Sequence, residues 1–343
     1  MRYSVRLLFI LSLFGNLLFA QNDPHQMWRE RPINQNVIKN WEFSNPLGRA
    51  TVWDIDQDKF GFIWLATSEG VIRFDGRRST VFNLNNTSVF ESQDFAQVEV
   101  AQDGKVWVCG RDGLYYYDGE KFNEWVSDDV EISLAWKIIT RQDGSLIALA
   151  NGQALEIDET GVKKAPFGIE NAYQLKRGFD DRIWVMLNTG KVKYVKDKQL
   201  YDLPEVNEYT GEVAIRMVVD DAEGNLYISL DDERLLYYNH EEFIEINSEK
   251  AFDIGLVRNL FPDSHGFVWA SSVNGTYRFS KDKVESLTTH DGLSDNGVRT
   301  LFEDRNGDIW IGTYRGLNYI PKSPVGLVQL NEGGVTTPVE TKA

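Results

Sequence analysis

Three arginines and three aromatic residues stand at the same point of a recurring phrase in this chain. Trp53, Trp136, Arg216, Arg258 and Arg299 each lie eight residues before a glycine, and Tyr173 lies eight before Asp181. Ala96 holds the slot in one further copy. Aromatic faces stack on sugar rings, and guanidinium forks hold a carboxylate or sulfate through paired hydrogen bonds. Brought to one rim, such groups would suit an acidic oligosaccharide. The competing role is structural, since an arginine can pair with a nearby Asp or Glu and a tryptophan can cap a channel. Tyr314 and Arg315, with Arg111 and Asn274, fall in loops expected to open on the same side and join the candidate ligand-binding set.

The other chemistry-bearing residues point to less. His25, His240, His265 and His290 fall in an N-terminal extension, two different turns and a strand end, on faces too far apart for a shared metal. Asp54-Ile55-Asp56-Gln57-Asp58 alternates like a calcium loop but lacks the glycine at position six and the glutamate at position twelve. Strand alternation and turn capping account for it better. There is no glycine-rich phosphate loop and no nucleophile elbow. The sequence therefore predicts no catalytic residue, no cofactor and no metal. Cys109 is the only cysteine, which precludes an internal disulfide, and it sits in an apolar strand (Val106 to Gly110) where a buried, inert thiol is expected.

The elements that must position the rim residues show as a repeat. Trp64, Trp107, Ile147, Trp184, Tyr227, Trp269 and Trp310 recur at intervals of about 41 residues. A repeat of that length, made of short alternating strands, predicts an all-β, seven-bladed β-propeller with four strands per blade. In the last copy the strands read Val298 to Phe302, Ile309 to Gly312 and Leu317 to Ile320, with a turn at Asp304-Arg305-Asn306-Gly307. A second glycine six residues after the tryptophan-type position (Gly70, Gly113, Gly190, Gly275, Gly316) fits a tight hairpin that needs positive φ. Glu233 takes that place in the fifth copy, and Gly152 comes one residue early in the third. The large residue on the second strand is expected to fill the wedge between neighbouring blades.

The last copy runs into Pro321 and Pro324 without a fourth strand, whereas Val37 to Phe43 resembles the fourth strands of other copies. The expectation is that this N-terminal strand completes the last blade and closes the ring. Residues 1–20 read as a signal peptide: Arg2 and Arg6 flank a basic start, and the apolar run Leu7 to Ala20 is too short to span a bilayer. The expected organisation is a signal peptide at 1–20, an extension at 21–35, the propeller at 36–321 and a flexible tail at 322–343. No transmembrane segment is expected after cleavage.

The most regular copy also carries a family resemblance. Gly292-Leu293-Ser294, Val298, Leu301, Asp304, Gly307, the run Ile309-Trp310-Ile311-Gly312-Thr313 and Gly316-Leu317 resemble the two-component regulator propeller repeat, found in exported sensor regions of hybrid two-component systems. The resemblance covers essentially all of the mature chain, strongly in copies one, two, six and seven. It implies an extracytoplasmic ligand-sensing propeller, in many relatives for breakdown products of complex polysaccharides. Such sensors continue into a second propeller, an immunoglobulin-like domain, a membrane helix and a kinase, none of which is expected here, so the chain reads as either a truncated sensor or a stand-alone binding protein. A membrane sensor kinase or a second propeller is therefore an expected partner.

Charge narrows the ligand classes. The formal net charge of −16 becomes −18 once Arg2 and Arg6 leave with the leader, so phosphate backbones and anionic membranes are repelled and nucleic acid is not an expected partner. The leading expectation is a periplasmic or secreted binding propeller for an oligosaccharide or other small ligand, not an enzyme. The alternatives are a protein-interaction scaffold without small ligand, and a propeller lyase.

Overall fold

The computed structural model describes residues 32–33, 38–41, 50–127, 130, 132, 134–141, 144–158, 161–164, 169–180, 182–247, 253–280 and 283–322. The expected signal peptide, most of the extension, the tail beyond residue 322, His25 and Asp181 lie outside them. The described strands form seven four-stranded antiparallel sheets in sequence order, the blades of a propeller. Blade 1 runs Val52–Gln57, Ile63–Thr67, Gly70–Phe74, Ser79–Phe82. In blade 7, Val298–Glu303, Ile309–Thr313 and Gly316–Ile320 are followed by an outer strand from the other end of the chain, Lys39–Trp41. Lys39 stands opposite Tyr319 and Trp41 opposite Leu317 in an antiparallel register.

The second strands are buried because each faces blades on both sides, and their large residue packs forward into the next blade. Trp64 lies among Val98, Val106 and Tyr115 of blade 2, and Trp107 among Ile138, Leu146 and Leu155 of blade 3. Ile147 packs into blade 4, Trp184 into blade 5 and Tyr227 towards Val268 and Phe279 of blade 6. Trp269 packs into blade 7, and Trp310 meets Ile55, Leu65 and Phe74 of blade 1, so the series joins end to end. All seven wedge residues are buried, as the repeat predicts.

Three of the wedge tryptophans are tied to their own turn by one aspartate. Asp58 Oδ1 accepts the backbone N–H groups of Phe60 and Phe62, and its Oδ2 accepts the Trp64 indole N–H at 2.9 Å. Asp263 does the same for His265, Phe267 and Trp269, and Asp304 for Asn306, Asp308 and Trp310. Turn and wedge are thus fixed by a single carboxylate that accepts three hydrogen bonds, two on one oxygen and one on the other. In blade 4 glycine (Gly178) replaces the aspartate, and the Trp184 indole turns instead to Asp220 of blade 5 at 2.9 Å. A Cβ at residue 178 would lie 2.6 Å from that carboxylate, so the glycine makes room for the borrowed partner.

The hairpin glycines meet their expected requirement. Gly70 has φ +129°, and a Cβ there would lie 2.3 Å from the Phe82 carbonyl oxygen. Glu233 adopts φ 70° in the same place, a costlier conformation for a residue with a side chain. A short helix, α1 (Pro204–Thr210), between blades 4 and 5 was not foreseen. It places Tyr209 face to face with Phe243 at 3.9 Å on the outer edge of blade 5.

Two outcomes test these contacts. Deleting residues 36–44 should leave the Gly316–Ile320 strand as an open edge. A markedly lower melting temperature or lost solubility is expected, and melting like the parent chain would show that this strand does not fasten the ring. Burial also holds the Asp263 carboxyl up at about 6, against 3.8 for an ordinary aspartate. Between those values the folded protein keeps a proton that the unfolded chain has released, so this group's contribution to stability falls as pH rises through that window. Asp263→Asn has no proton to lose. Thermal melts should show the parent losing ground to the variant between pH 4 and pH 7, and a pH-independent difference would refute the shift.

Candidate functional site

The seven rim-slot residues share one backbone feature. In every inner strand the register to the second strand slips at that residue: Val52 pairs with Thr67 and Asp54 with Ala66, which leaves Trp53 opposite no partner. The same slip leaves out Ala96, Trp136, Tyr173, Arg216, Arg258 and Arg299. An extra residue of this kind is a β-bulge, which re-aims a side chain and lets it vary without disturbing the ladder. Two residues further on, Ile55, Val98, Ile138, Leu175, Val218, Leu260 and Leu301 are buried between blades. The rim is therefore a ring of seven positions whose backbone is alike and whose side chains differ.

The structure divides those side chains into two groups. In the first, Arg299 of blade 7 lies over the Trp53 ring of blade 1 at 4.3 Å. Tyr314 receives a hydrogen bond from Arg299 Nη1 at 3.2 Å, and the Arg258 guanidinium sits 5.2 Å from its ring. Trp53 and Tyr314 meet edge-on at 6.4 Å. Trp53 Nε1 and Arg258 Nε are out of solvent with no hydrogen-bond partner among the described residues. Neither Arg258 nor Arg299 forms an ion pair there.

The second group serves the frame. The Trp136 indole donates to the Tyr173 carbonyl at 3.1 Å. The Tyr173 hydroxyl donates to the Ile215 carbonyl at 2.8 Å, with that of Arg216 2.9 Å away, and burial pushes its pKa up to about 12. Arg216 reaches Asp231 of its own blade at 2.6 Å. Trp136 and Tyr173 stitch blades 3, 4 and 5 together while Arg216 is held within blade 5, so the convergence of all three arginines beside all three aromatics does not occur. Arg315 extends into solvent and lies 3.5 Å from Asp295, outside both groups.

Below the rim a central cavity of about 690 Å³ opens at Trp53, Ala96, Trp136, Arg258 and Arg299. Its size suits a small ligand. The bulge sets the phase of the inner strands, so the residues one and three places beyond the rim slot line it. Blades 1 and 2 give Asp54, Asp56 and Glu99, blades 3 and 4 give Lys137 and Lys176, and blades 6 and 7 give Asn259, Phe261 and Phe302. Burial raises the pKa of Asp54, and burial together with Glu99 raises that of Asp56 further. Asp54 accepts from the Thr300 hydroxyl at 3.2 Å, and Asp56 from the Val100 N–H at 2.6 Å. Glu99 accepts from Thr140 and, at 2.9 Å, from Arg177 at the far end of its strand. The rim-slot alignment missed this charged interior, although counting one and three residues on from each slot exposes it.

The remaining candidates follow the structural account. Asp58 caps its turn, as argued against a calcium loop. Cys109 is buried, which pushes its thiol far up. Among the described residues no three of His, Cys, Asp and Glu are grouped to hold a metal, and no helix is long and apolar enough to cross a membrane.

Residues 292–315 match the family model described as the two component regulator propeller. No curated protein matches the chain. Among solved structures, the extracellular domain of BT3049 from B. thetaiotaomicron, assigned as a hybrid two component system, is similar at 19% identity and a TM-score of 0.68, covering 84% of this chain and 42% of that one. A catalytically inactive virginiamycin B lyase from Staphylococcus aureus, with quinupristin, is similar at 10% identity and a TM-score of 0.66, covering 83% and 99%. PorZ, a surface component of the type-IX secretion system of Porphyromonas gingivalis, is similar at 14% identity and a TM-score of 0.53, covering 83% and 44%. At these identities the likeness shows the propeller fold. The chain spans less than half the length of the BT3049 domain and of PorZ.

The division of the rim predicts unlike mutants. Tyr173→Phe should lower stability by about 1 kcal/mol through the lost hydroxyl bond, read as a reduced denaturation midpoint. Arg299→Ala should cost less, because it leaves no buried acceptor unpaired. The reverse order would overturn the division.

Proposed function

We propose that this chain, which carries the two component regulator propeller repeat, is an exported ligand-binding propeller of the sensing type. Its ligand is a small acidic oligosaccharide, held at the channel mouth by Trp53, Arg258, Arg299 and Tyr314. One observation carries the reading. Two guanidiniums share one tyrosine ring with no carboxylate partner among the described residues, in a chain of net charge −16 where Arg216 of the adjacent blade has one. Like charges gathered and partly desolvated are unfavourable until an anion joins them, and a fork-to-fork contact with a carboxylate or sulfate relieves both. The Trp53 face and the cavity below it offer the apolar, concave surface that a sugar ring needs.

The likeness to an extracellular sensor domain supports a place outside the cytoplasm, in the periplasm or at the cell surface, and signalling through a separate membrane kinase or second propeller. The signal peptide expected at residues 1–20 belongs to this reading. The residues at the mouth favour binding over turnover, because they offer cations and rings but no acid–base pair.

Calorimetric titration against a panel of uronate-containing and sulfated oligosaccharides tests the proposal. Arg258→Ala and Arg299→Ala should each weaken binding at least tenfold, since a charge-assisted hydrogen bond contributes about 1.5–3 kcal/mol. Arg216→Ala should leave affinity nearly unchanged, and added salt should weaken the parent. Equal affinity in the Arg258/Arg299 double variant would refute the site. A panel that gives no heat at all, with a protein partner captured instead, would favour the scaffold reading.

A further inference from the structure

The central cavity contains an amine in an unusual setting. Lys176 comes from the inner strand of blade 4, Ala172–Arg177, and its side chain crosses the channel to donate to Asn259 Oδ1 of blade 6 at 3.0 Å. Among the described residues the charged groups that act on it are Asp54 from blade 1, Glu99 from blade 2, Lys137 from blade 3, and Arg177 next to it on its own strand. No carboxylate bonds directly to its Nζ among the described residues. A surface lysine such as Lys196 instead meets Asp180 at 2.6 Å.

We propose that Lys176 is a nucleophilic amine that captures an aliphatic aldehyde in the channel as a reversible imine. The geometry supplies the three requirements. The amine faces a cavity of about 690 Å³, open to the outside at the rim. A second cation, Lys137, adjoins it, and both burial and that neighbour disfavour the ammonium form, bringing Lys176 down to about 8. A carboxyl inclined to stay protonated, Asp54, shares the channel and interacts with its charge.

The step balances without a further reactant. The unprotonated Nζ attacks the carbonyl carbon, the π pair moves to oxygen, and an amine proton follows it to give the carbinolamine. Asp54 then protonates the hydroxyl, the C–O bond breaks and water leaves. The nitrogen lone pair forms the C=N bond, and the remaining N–H proton returns to the Asp54 carboxylate. Phe261 and Phe302 supply an apolar part of the channel wall. The site does not depend on what occupies the mouth. The aldehyde has two sources, a free small aldehyde or the open-chain reducing end of a sugar.

The test is reductive trapping of the whole protein with glyceraldehyde and cyanoborohydride, followed by peptide mass spectrometry, with Lys196 as internal control. Lys176 should be modified at least about tenfold faster than Lys196 at pH 7, as expected from a lowered ammonium pKa. Its labelling should rise with a midpoint near pH 8. Lys176→Arg, which keeps the charge but forms no imine, should lose that label alone. Because the parent itself reports the rate, a variant that fails to fold leaves the result intact. Equal rates at the two lysines, or an unmodified Lys176, would overturn the proposal. In a second arm a reducing disaccharide is compared with its alditol. Label from the disaccharide and none from the alditol assigns the sugar end as the source, and label from glyceraldehyde alone assigns a free small aldehyde.

Discussion

The ring depends on one repeated contact, a large side chain on each second strand driven into the blade that follows. A four-stranded sheet has two faces to cover and no helix to cover them, so each blade is stable only between two others. Trp64, Trp184 and Trp269 are almost wholly out of solvent, which for an indole requires that its N–H find a partner. That need explains the aspartate six residues upstream. Asp58, Asp263 and Asp304 satisfy the turn and the indole together, so loss of either end would leave a buried polar group exposed to the cost of an unmade bond. Blade 4 shows the need from the other side: with glycine in the aspartate's place, the indole takes its acceptor from the next blade.

A frame fixed at the wedge leaves the rim free. The slip in register falls on the same residue in all seven inner strands, so the bulge belongs to the frame whatever side chain stands on it. The frame tolerates alanine, tryptophan, tyrosine and arginine there with the same pairing on either side. Function on this fold is written in such positions, which is why propellers of one shape carry unrelated activities. The lyase and the extracellular domain of a hybrid two component system that share this shape illustrate the point.

The architecture was legible in the sequence because wedge and turn recur with the repeat. Trp310, Gly307 and Gly316 carry both the strand order and the hairpins, and the structure places each as its spacing implies. The site was legible only in part. Alignment found the rim slot but could not say which arginine had a carboxylate within reach: Asp231, which neutralises Arg216, lies in the following hairpin of the same blade, and nothing in spacing distinguishes it from the loop residues of other blades. The hydroxyl contacts of Tyr173 were equally invisible, since they go to backbone atoms that every sequence has. The helix at Pro204–Thr210 interrupts the repeat without a periodic signal of its own.

The charges of the channel and of its mouth make a single electrostatic arrangement. Asp54, Asp56 and Glu99 stand against Lys137, Lys176 and Arg177 within the ring of inner strands, where burial raises the pKa of Asp54 and Asp56 and lowers that of Lys176. Burial drives Asp54 and Asp56 towards their neutral forms, which removes negative charge from beneath the mouth. Arg258 and Arg299 at the rim therefore face less opposing charge from those two residues, which favours the proposed binding of an anion there. In a chain of net charge −16, the proposed binding at this cationic mouth would give an anionic ligand a favourable point of approach.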